Sequence, residues 1–518
     1  MRDMIHRRRV VVAVGAVRAV ATAVSQRASA QDGDGLAAAL ALEEAFTRAI
    51  AGAEESVVSI SRVKVARPAL DVPEFNPFRI QPQGADSSKP ASPDYVPAEF
   101  GTGFIIAPAR NRNERFILTN YHVVRGGPAV GQTGTQAEYE LFVRLADRRG
   151  YDAQIVAADP RSDLAVLKID SAALGVKPAD PKPLPIDGDF EFKKGQFVLA
   201  LGNPYAIARD GSASASWGFI SNISRSPARP GAPYEEEARR KETIHHFGTL
   251  LQVDTRLNLG TSGGPLLNLK GELIGITTSL AALDGYEKSV GYAIPVDARF
   301  RRIIDDLTSG HEVEYGFLGV QPVDVSHREM EAEPGRFSQV TAARAMEVFP
   351  NSPAAEAGLQ SLDIVLAVNG EPVLGRYDLM RLVGQLGPDT IARLKVWRER
   401  AGRELILNVK LGKWPVYDDE GIITTNPRYP DWRGMAVDFP TGRQKHLQLP
   451  FRYHPAVVVT KLPSQSNIAA GELQVGDFIT HVNRTAVQTP EQFHRAATGQ
   501  EGDVTLRLLD GRRVVVRK

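Results

Sequence analysis

Residues 258–276 read NLGTSGGPLLNLKGELIGI, a glycine-rich turn followed by two short apolar runs around a second turn. Ser262 stands in the first turn, between Gly260 and the pair Gly263–Gly264. Glycine reaches backbone angles closed to other residues, so this spacing predicts a sharply folded loop before a buried strand. The apolar runs are short and bounded by turn formers, which reads as strand rather than helix. A serine hydroxyl in such a loop is a poor nucleophile alone. It needs a base to take its proton and an acid to orient that base.

The same short-strand pattern extends outward from Gly101 to about Pro295, in runs such as GFIIAP, RFILTN, ELFVRLAD, DLAVLKID, QFVLALG and LLQVD. Helical periodicity is scarce there, so this span is expected to be all-β, a barrel or sandwich pair. Upstream, GLAAALALEEAFTRAIAGAEESVVSISRV predicts an alanine-rich helix running into a strand. Residues 66–98 then lose periodicity and fill with proline, serine and charge, the mark of a functional or disordered loop. Downstream, DARFRRIIDDLTSG predicts a helix ending at Gly310.

The span 101–300 holds three histidines. His122, in FILTNYHVVRGG, follows an apolar strand directly and opens a turn, where its side chain can face a cleft. His245 and His246 end a charged insertion, PARPGAPYEEEARRKETIHHF, and are expected in a solvated loop. For the acid, DPRSDLAVLKID offers three aspartates. Asp163 precedes the apolar strand and can sit at a domain seam, whereas Asp159 and Asp170 are expected as surface charges.

The last 200 or so residues contain a repeat. AAEAGLQSLDIVLAVNGEPV (354–373) aligns with IAAGELQVGDFITHVNRTAV (468–487) at one constant offset. Leu359, Gln360, Asp363, Val368, Asn369 and Val373 correspond to Leu473, Gln474, Asp477, Val482, Asn483 and Val487, so two copies of one module are expected. The proline- and turn-rich KWPVYDDEGIITTNPRYPDW between them serves as a boundary.

Composition narrows the function. A chain of 518 residues has room for roughly three to four domains. The net charge of +1 supplies no field for nucleic acid or an anionic membrane, and no nucleic-acid partner is expected. Absence of cysteine excludes thiol proteases, thiolate metal sites and disulfide scaffolds. A basic MRDMIHRRR, an apolar VVVAVGAVRAVATAV and the small-residue ASA before Gln31 read as a signal peptide, residues 1–30, and hence an exported protein. No P-loop or HExxH pattern is present, so neither ATP, metal nor any other cofactor is expected.

The segments ILTNYHVV, DPRSDLAVLKI, GNPY, GTSGGPLLNLKGELIGI and VGYAIP, in that order, resemble the HtrA/Deg family of secreted serine proteases, and the C-terminal repeats look like PDZ domains. The resemblance implies a mainly β fold: a chymotrypsin-like double β-barrel over 31–310, PDZ-like α/β domains over 311–412 and 431–518, and a linker over 413–430. It implies Ser262 as nucleophile, His122 as base then acid, Asp163 as orienting carboxylate, and the backbone N–H groups of Gly260 and Ser262 as an oxyanion hole. Thr261 and Leu259 depart from the usual asparagine and proline of the family. Leu257 and Leu280 would line a pocket for small or medium aliphatic side chains. Gly275–Ser279, including Ile276, Thr277 and Thr278, would pair with substrate as an added strand. In the first PDZ-like copy the carboxylate loop would be Tyr315–Val320, with Gly316, Phe317, Leu318, Gly319 and Val320. In the second copy Ala436 stands in place of the glycine, which leaves peptide binding and a packing or assembly role both open. The 66–98 loop would reach a neighbouring active site, and 224–248 would be a sensor loop. The expected partners are unfolded polypeptides, C-terminal peptides at the first PDZ-like domain, and other copies in a trimer or larger assembly. A peptide-binding chaperone or scaffold with negligible proteolysis is the alternative.

Overall fold

The computed structural model describes residues 35–64, 97, 99–108, 110–125, 139–169, 182–186, 188–203, 212–226, 243–278, 291–332, 337–416, 421–443, 452–463 and 472–518. The leader, nearly all of the 66–98 loop, the middle of the 224–248 insertion, Asp170 and Leu280 lie outside them.

A helix over residues 35–53 leads into β1 (Val57–Lys64). With β2 (Glu99–Ile106), β3 (Phe116–Asn120), β4 (Tyr139–Arg144), β5 (Gly150–Asp159) and β6 (Leu164–Ile169) it forms an antiparallel sheet in the order β5-β4-β1-β2-β3-β6. Pairing of β5 with β6 closes it into a barrel. A second closed barrel follows, from β7 (Phe197–Gly202), β8 (Ser214–Arg225), β9 (Leu250–Val253), β10 (Pro265–Leu267), β11 (Leu273–Thr278) and β12 (Gly291–Pro295).

Side chains alternate across a strand, and here both faces of several strands are buried. On β2 and β3, Ile105 and Ile117 fill the first barrel with Val143 and Leu167. Their neighbours Phe104, Ile106 and Leu118 point the other way, against Leu199, Leu201, Leu267, Ile276 and Ile294 of the second barrel. Fully burying one such side chain is worth about 1.5–3 kcal/mol, so this apolar seam, rather than the few polar contacts crossing it, joins the barrels. The helix Ala298–Thr308 closes the seam from outside. Asp297 caps it by accepting from the amides of Arg299 and Phe300, and Phe300, Ile303, Ile304 and Leu307 line its buried stripe.

The two repeats fold alike. After β13 (Gly316–Phe317), the first copy orders β14 (Val320–Val325), β15 (Ala342–Val348), β16 (Ile364–Val368), β18 (Ile391–Arg398) and β19 (Arg403–Lys410) in one sheet. The short β17 (Glu371–Pro372) pairs with β16, the helix Arg376–Gly384 covers the sheet, and β20 (Gly412–Lys413) returns to β13. The second copy repeats the path with β22 (Ala436–Asp438), β23 (Val457–Lys461), β24 (Phe478–Val482), β26 (Val504–Leu508) and β27 (Arg513–Val516), with β25 (Thr485–Ala486) beside β24 and the helix Pro490–Ala497.

The paired residues of the repeat do the same work in both copies. Asp363 accepts from the Gln360 amide at 2.9 Å and Asp477 from the Gln474 amide at 2.8 Å. Each then meets an arginine, Arg398 and Arg512 respectively. Asn369 and Asn483 both take left-handed angles, φ 52° and 54°, and accept a neighbouring strand's amide. Short polar side chains tolerate that backbone region, which explains why asparagine recurs.

The segment between the repeats is more than a spacer. Its β21 (Ile423–Thr424) adds to the first barrel at β5, with Ile423 opposite Ala158. Tyr121 donates its hydroxyl to the Gly421 carbonyl at 3.2 Å, and the amides of Thr425 and Asn426 both reach the Gly310 carbonyl at 3.0 Å.

Candidate active site

The turn around Ser262 is built against the end of the first barrel. The Thr102 amide on β2 donates to the Ser262 carbonyl at 2.9 Å. Gly263 (φ 85°) lies so close that a Cβ there would overlap the Thr102 carbonyl and the Thr119 hydroxyl, and would stand 3.2 Å from the Asn120 amide. Gly260 (φ 95°) is confined in the same way by the Asn203 carbonyl and the Phe100 ring. The two glycines are therefore required by left-handed angles and close backbone approach together. Thr261, in the position where asparagine was expected by resemblance, donates its hydroxyl to the Asn258 carbonyl at 2.7 Å and stiffens the turn. Leu259 is 64% exposed.

Asn120 ends β3, and the chain turns at once into the short helix Tyr121–Arg125 that carries His122. The His122 Nδ1 lies 2.9 Å from both carboxylate oxygens of Asp163. Asp163 is buried and sits in the left-handed region, φ 53°, between β5 and β6. Its side chain also accepts from the His122 amide at 3.1 Å and from the Thr278 hydroxyl at 3.0 Å. Its carbonyl accepts from the Tyr121 amide at 2.9 Å and from Asn120 Nδ2 at 3.1 Å. The imidazole thus has one nitrogen held by a carboxylate, while Nε2 is buried with no hydrogen-bond partner among the described residues. An imidazole in this setting can hold and return a proton at Nε2.

Several expectations are corrected by the packing. His245 is not in a solvated loop: it is fully buried on the short 3-10 turn Ile244–Phe247. Its Nε2 donates to the Ser162 carbonyl at 2.9 Å and its Nδ1 meets the Thr249 hydroxyl at 2.6 Å. Burial lowers its pKa to about 4, so it is neutral at ordinary pH. His246 is half-buried, its Nδ1 accepting from the Thr243 amide. Asp159 is not a surface charge either. It is wholly buried and receives Arg161 Nε at 2.8 Å, the Ser162 amide and hydroxyl at 3.0 and 2.9 Å, and the hydroxyl of Tyr315.

Ile276, Thr277 and Thr278 do not offer a free edge for an added strand. They are buried in β11, with Thr277 exchanging bonds with Gly263 and Gly264 on one side and β12 paired on the other. Thr278 instead serves Asp163 through its hydroxyl. Leu257 is half-buried against the second barrel's core and fills the space that Gly291 leaves by lacking a Cβ.

In the first PDZ-like copy, Gly316 and Phe317 are paired with β20, which leaves Leu318–Val320 of the expected carboxylate loop outside that pairing. The Leu318 and Gly319 carbonyls are taken by the amides of Ala354 and Phe349, and Gly319 (φ 82°) is pressed against Ser352. The strand β14 is at the sheet edge next to the helix Arg376–Gly384.

Comparison with known proteins agrees with this architecture. The family model described as a trypsin-like peptidase domain matches residues 101–276, and the PDZ domain model matches residues 316–411. Together with the double barrel, these matches define a serine endopeptidase of chymotrypsin-like fold carrying a PDZ domain. The chain is 31% identical over 418 residues to a probable periplasmic serine endoprotease, DegP-like, of Pseudomonas fluorescens, which covers 79% of this chain and 76% of that protein. It is 30% identical over 488 residues to the protein of the same description in Pseudomonas fulva, covering 90% and 91%. A solved serine endoprotease from Yersinia pestis is similar at 24% identity, with 71% of this chain and 97% of that one covered and a TM-score of 0.41. The chain belongs to the DegP-like serine endoproteases of the HtrA family, and it is an exported, periplasmic enzyme.

Proposed function

We propose that Ser262, His122 and Asp163 form the catalytic unit of this endopeptidase. The observation that carries the reading is the double contact of Asp163 with His122 Nδ1 beside the glycine-framed turn of Ser262. In this mechanism His122 Nε2 takes the hydroxyl proton as Ser262 Oγ attacks the substrate carbonyl carbon. Asp163 fixes the tautomer and stabilises the imidazolium. The tetrahedral oxyanion is held by the N–H groups of Gly260 and Ser262, and each such donor is worth on the order of a hundredfold or more in rate. His122 then passes its proton to the leaving amine, and water hydrolyses the acyl-enzyme by the reverse roles.

The substrates are extended, unfolded or damaged chains, cleaved without ATP after small or medium aliphatic residues that Leu257 and Leu280 contact. C-terminal peptides add along β14 with their carboxylate at Leu318–Val320, and the enzyme works as a trimer or larger assembly. The protease, first PDZ-like domain, linker and second PDZ-like domain occupy 31–310, 311–412, 413–430 and 431–518. Cleavage of an unfolded, flexible protein by the parent, lost in Ser262→Ala at unchanged melting temperature, supports the assignment. Equal turnover by both refutes it.

A further inference from the structure

The mechanism leaves unused a file of buried charges that starts directly behind Asp163. Asp159, four residues upstream, holds the Ser162 amide and hydroxyl with one oxygen and Arg161 Nε with the other, at 2.8–3.0 Å. Arg161 lies with its guanidinium 4.8 Å from the centre of the Tyr315 ring, and Tyr315 donates its hydroxyl back to Asp159. The other arm of Arg161 donates to the Val313 carbonyl at 2.6 Å and stands 3.7 Å from Glu312. Glu312 lies 3.1 Å from Lys413 Nζ, which also meets Glu314 at 3.2 Å and Asp438 at 3.0 Å. Lys413 is 1% exposed, so no water shell can replace a lost carboxylate. Burial disfavours its ammonium, but Asp438, Glu312 and Glu314 outweigh that and raise its pKa.

These residues belong to four parts of the chain. Asp159–Ser162 is the turn before the catalytic aspartate, Glu312–Tyr315 leaves the protease helix, Lys413 opens the linker at the end of β20, and Asp438 lies on the first strand of the second PDZ-like domain. Asp159, Arg161, Tyr315 and Lys413 are buried, with Glu312, Glu314 and Asp438 partly exposed beside them, so moving one of the carboxylates leaves a buried cation costly to re-solvate. We propose that this file is a positioning relay: the seat of the second PDZ-like domain, through Asp438 and Lys413, fixes Glu312–Tyr315 and thereby the turn that aims Asp163 at His122. It rests on the catalytic role assigned to Asp163 above. Tyr315 and Lys413 are positioning residues here, not catalytic ones.

A double-mutant cycle on the full chain tests it, with Asp438→Asn, Tyr315→Phe and the pair together. Two readouts are taken: the rate at which a serine-reactive phosphonate labels the protein, and backbone hydrogen exchange of the segment containing Tyr121 and His122. Those two amides donate to Asp163, so their exchange reports its seat without any chemistry. The relay predicts labelling about 5- to 30-fold slower in each single variant, with the double variant no slower than the worse single. It also predicts faster exchange at Tyr121–His122 in both variants, with β7 and β8 of the second barrel unchanged. Labelling and exchange within twofold of the parent in Asp438→Asn overturn it. So do single effects that multiply in the double variant, and so does exchange raised evenly through both barrels. A parent that is never labelled would sink the catalytic assignment instead. The exchange readout would then still decide whether the second domain reaches the Asp163 turn.

Discussion

A non-glycine residue in the left-handed region costs about 1–3 kcal/mol. Asp163 offsets that cost with contacts to Tyr121, Asn120, His122 and Thr278, which fix its carboxylate against one imidazole nitrogen. Asp163→Asn keeps the shape and the main-chain contacts but presents an amide to Nδ1 and favours the wrong tautomer. It should lower kcat by about 10⁴-fold with little change in thermal unfolding, measured by steady-state kinetics and circular dichroism. His245 carries a pH prediction. Its folded pKa of about 4 lies below the ordinary 6.5, so the unfolded chain binds the proton first as pH falls. The stability that depends on neutral His245 is therefore complete above about pH 6.5 and is lost as pH falls toward 4, by up to about 3 kcal/mol. Denaturant titrations at pH 7 and pH 4.5 should show a smaller loss for His245→Gln than for the parent. An equal loss would mean that His245 is not the group responsible.

Among the elements, the repeat was legible because its corresponding residues answer local demands. A buried aspartate closing a turn and an asparagine at a left-handed position are needed wherever that hairpin occurs, so identity at fixed spacing survived. The glycine pattern around Ser262 was legible for the same reason. Asp159 and His245 were not, because nothing in their own segments announces burial. They are covered by Tyr315, Phe300 and the Arg161 side chain, which arrive from far along the sequence. The neighbours of Ile276–Thr278 were hidden likewise, since only the folded turn brings Gly263 and Gly264 back onto that strand. One consequence belongs to the repeated element itself. The Asp363–Arg398 pair is made by two parallel bonds at 2.9 and 2.7 Å with Asp363 side chain 2% exposed, whereas Asp477 is 16% exposed beside Arg512. Asp363→Ala should cost about 1.5–3 kcal/mol, as losing charge-assisted bonds to a buried carboxylate does, and Asp477→Ala clearly less. Chemical denaturation of each variant checks the order, and a larger loss at Asp477 would contradict it.

Over the whole molecule, the apolar seam fixes two barrels, and the segments of the first barrel that carry His122 and Asp163 end where the Ser262 turn of the second is pressed against them. The PDZ-like domains are not strung loosely behind. Phe247 packs on Tyr377 and Trp414, and the segment between the repeats returns to the first barrel as β21. The peptidase barrels and the PDZ-like domains are thus built into one connected framework. The most direct test of the catalytic account is to treat the parent protein with a serine-reactive phosphonate and map the adduct by mass spectrometry. A single adduct on Ser262, formed far more slowly in His122→Ala, is the predicted result. An adduct on another serine, or labelling of Ser262 that is indifferent to His122, would contradict it.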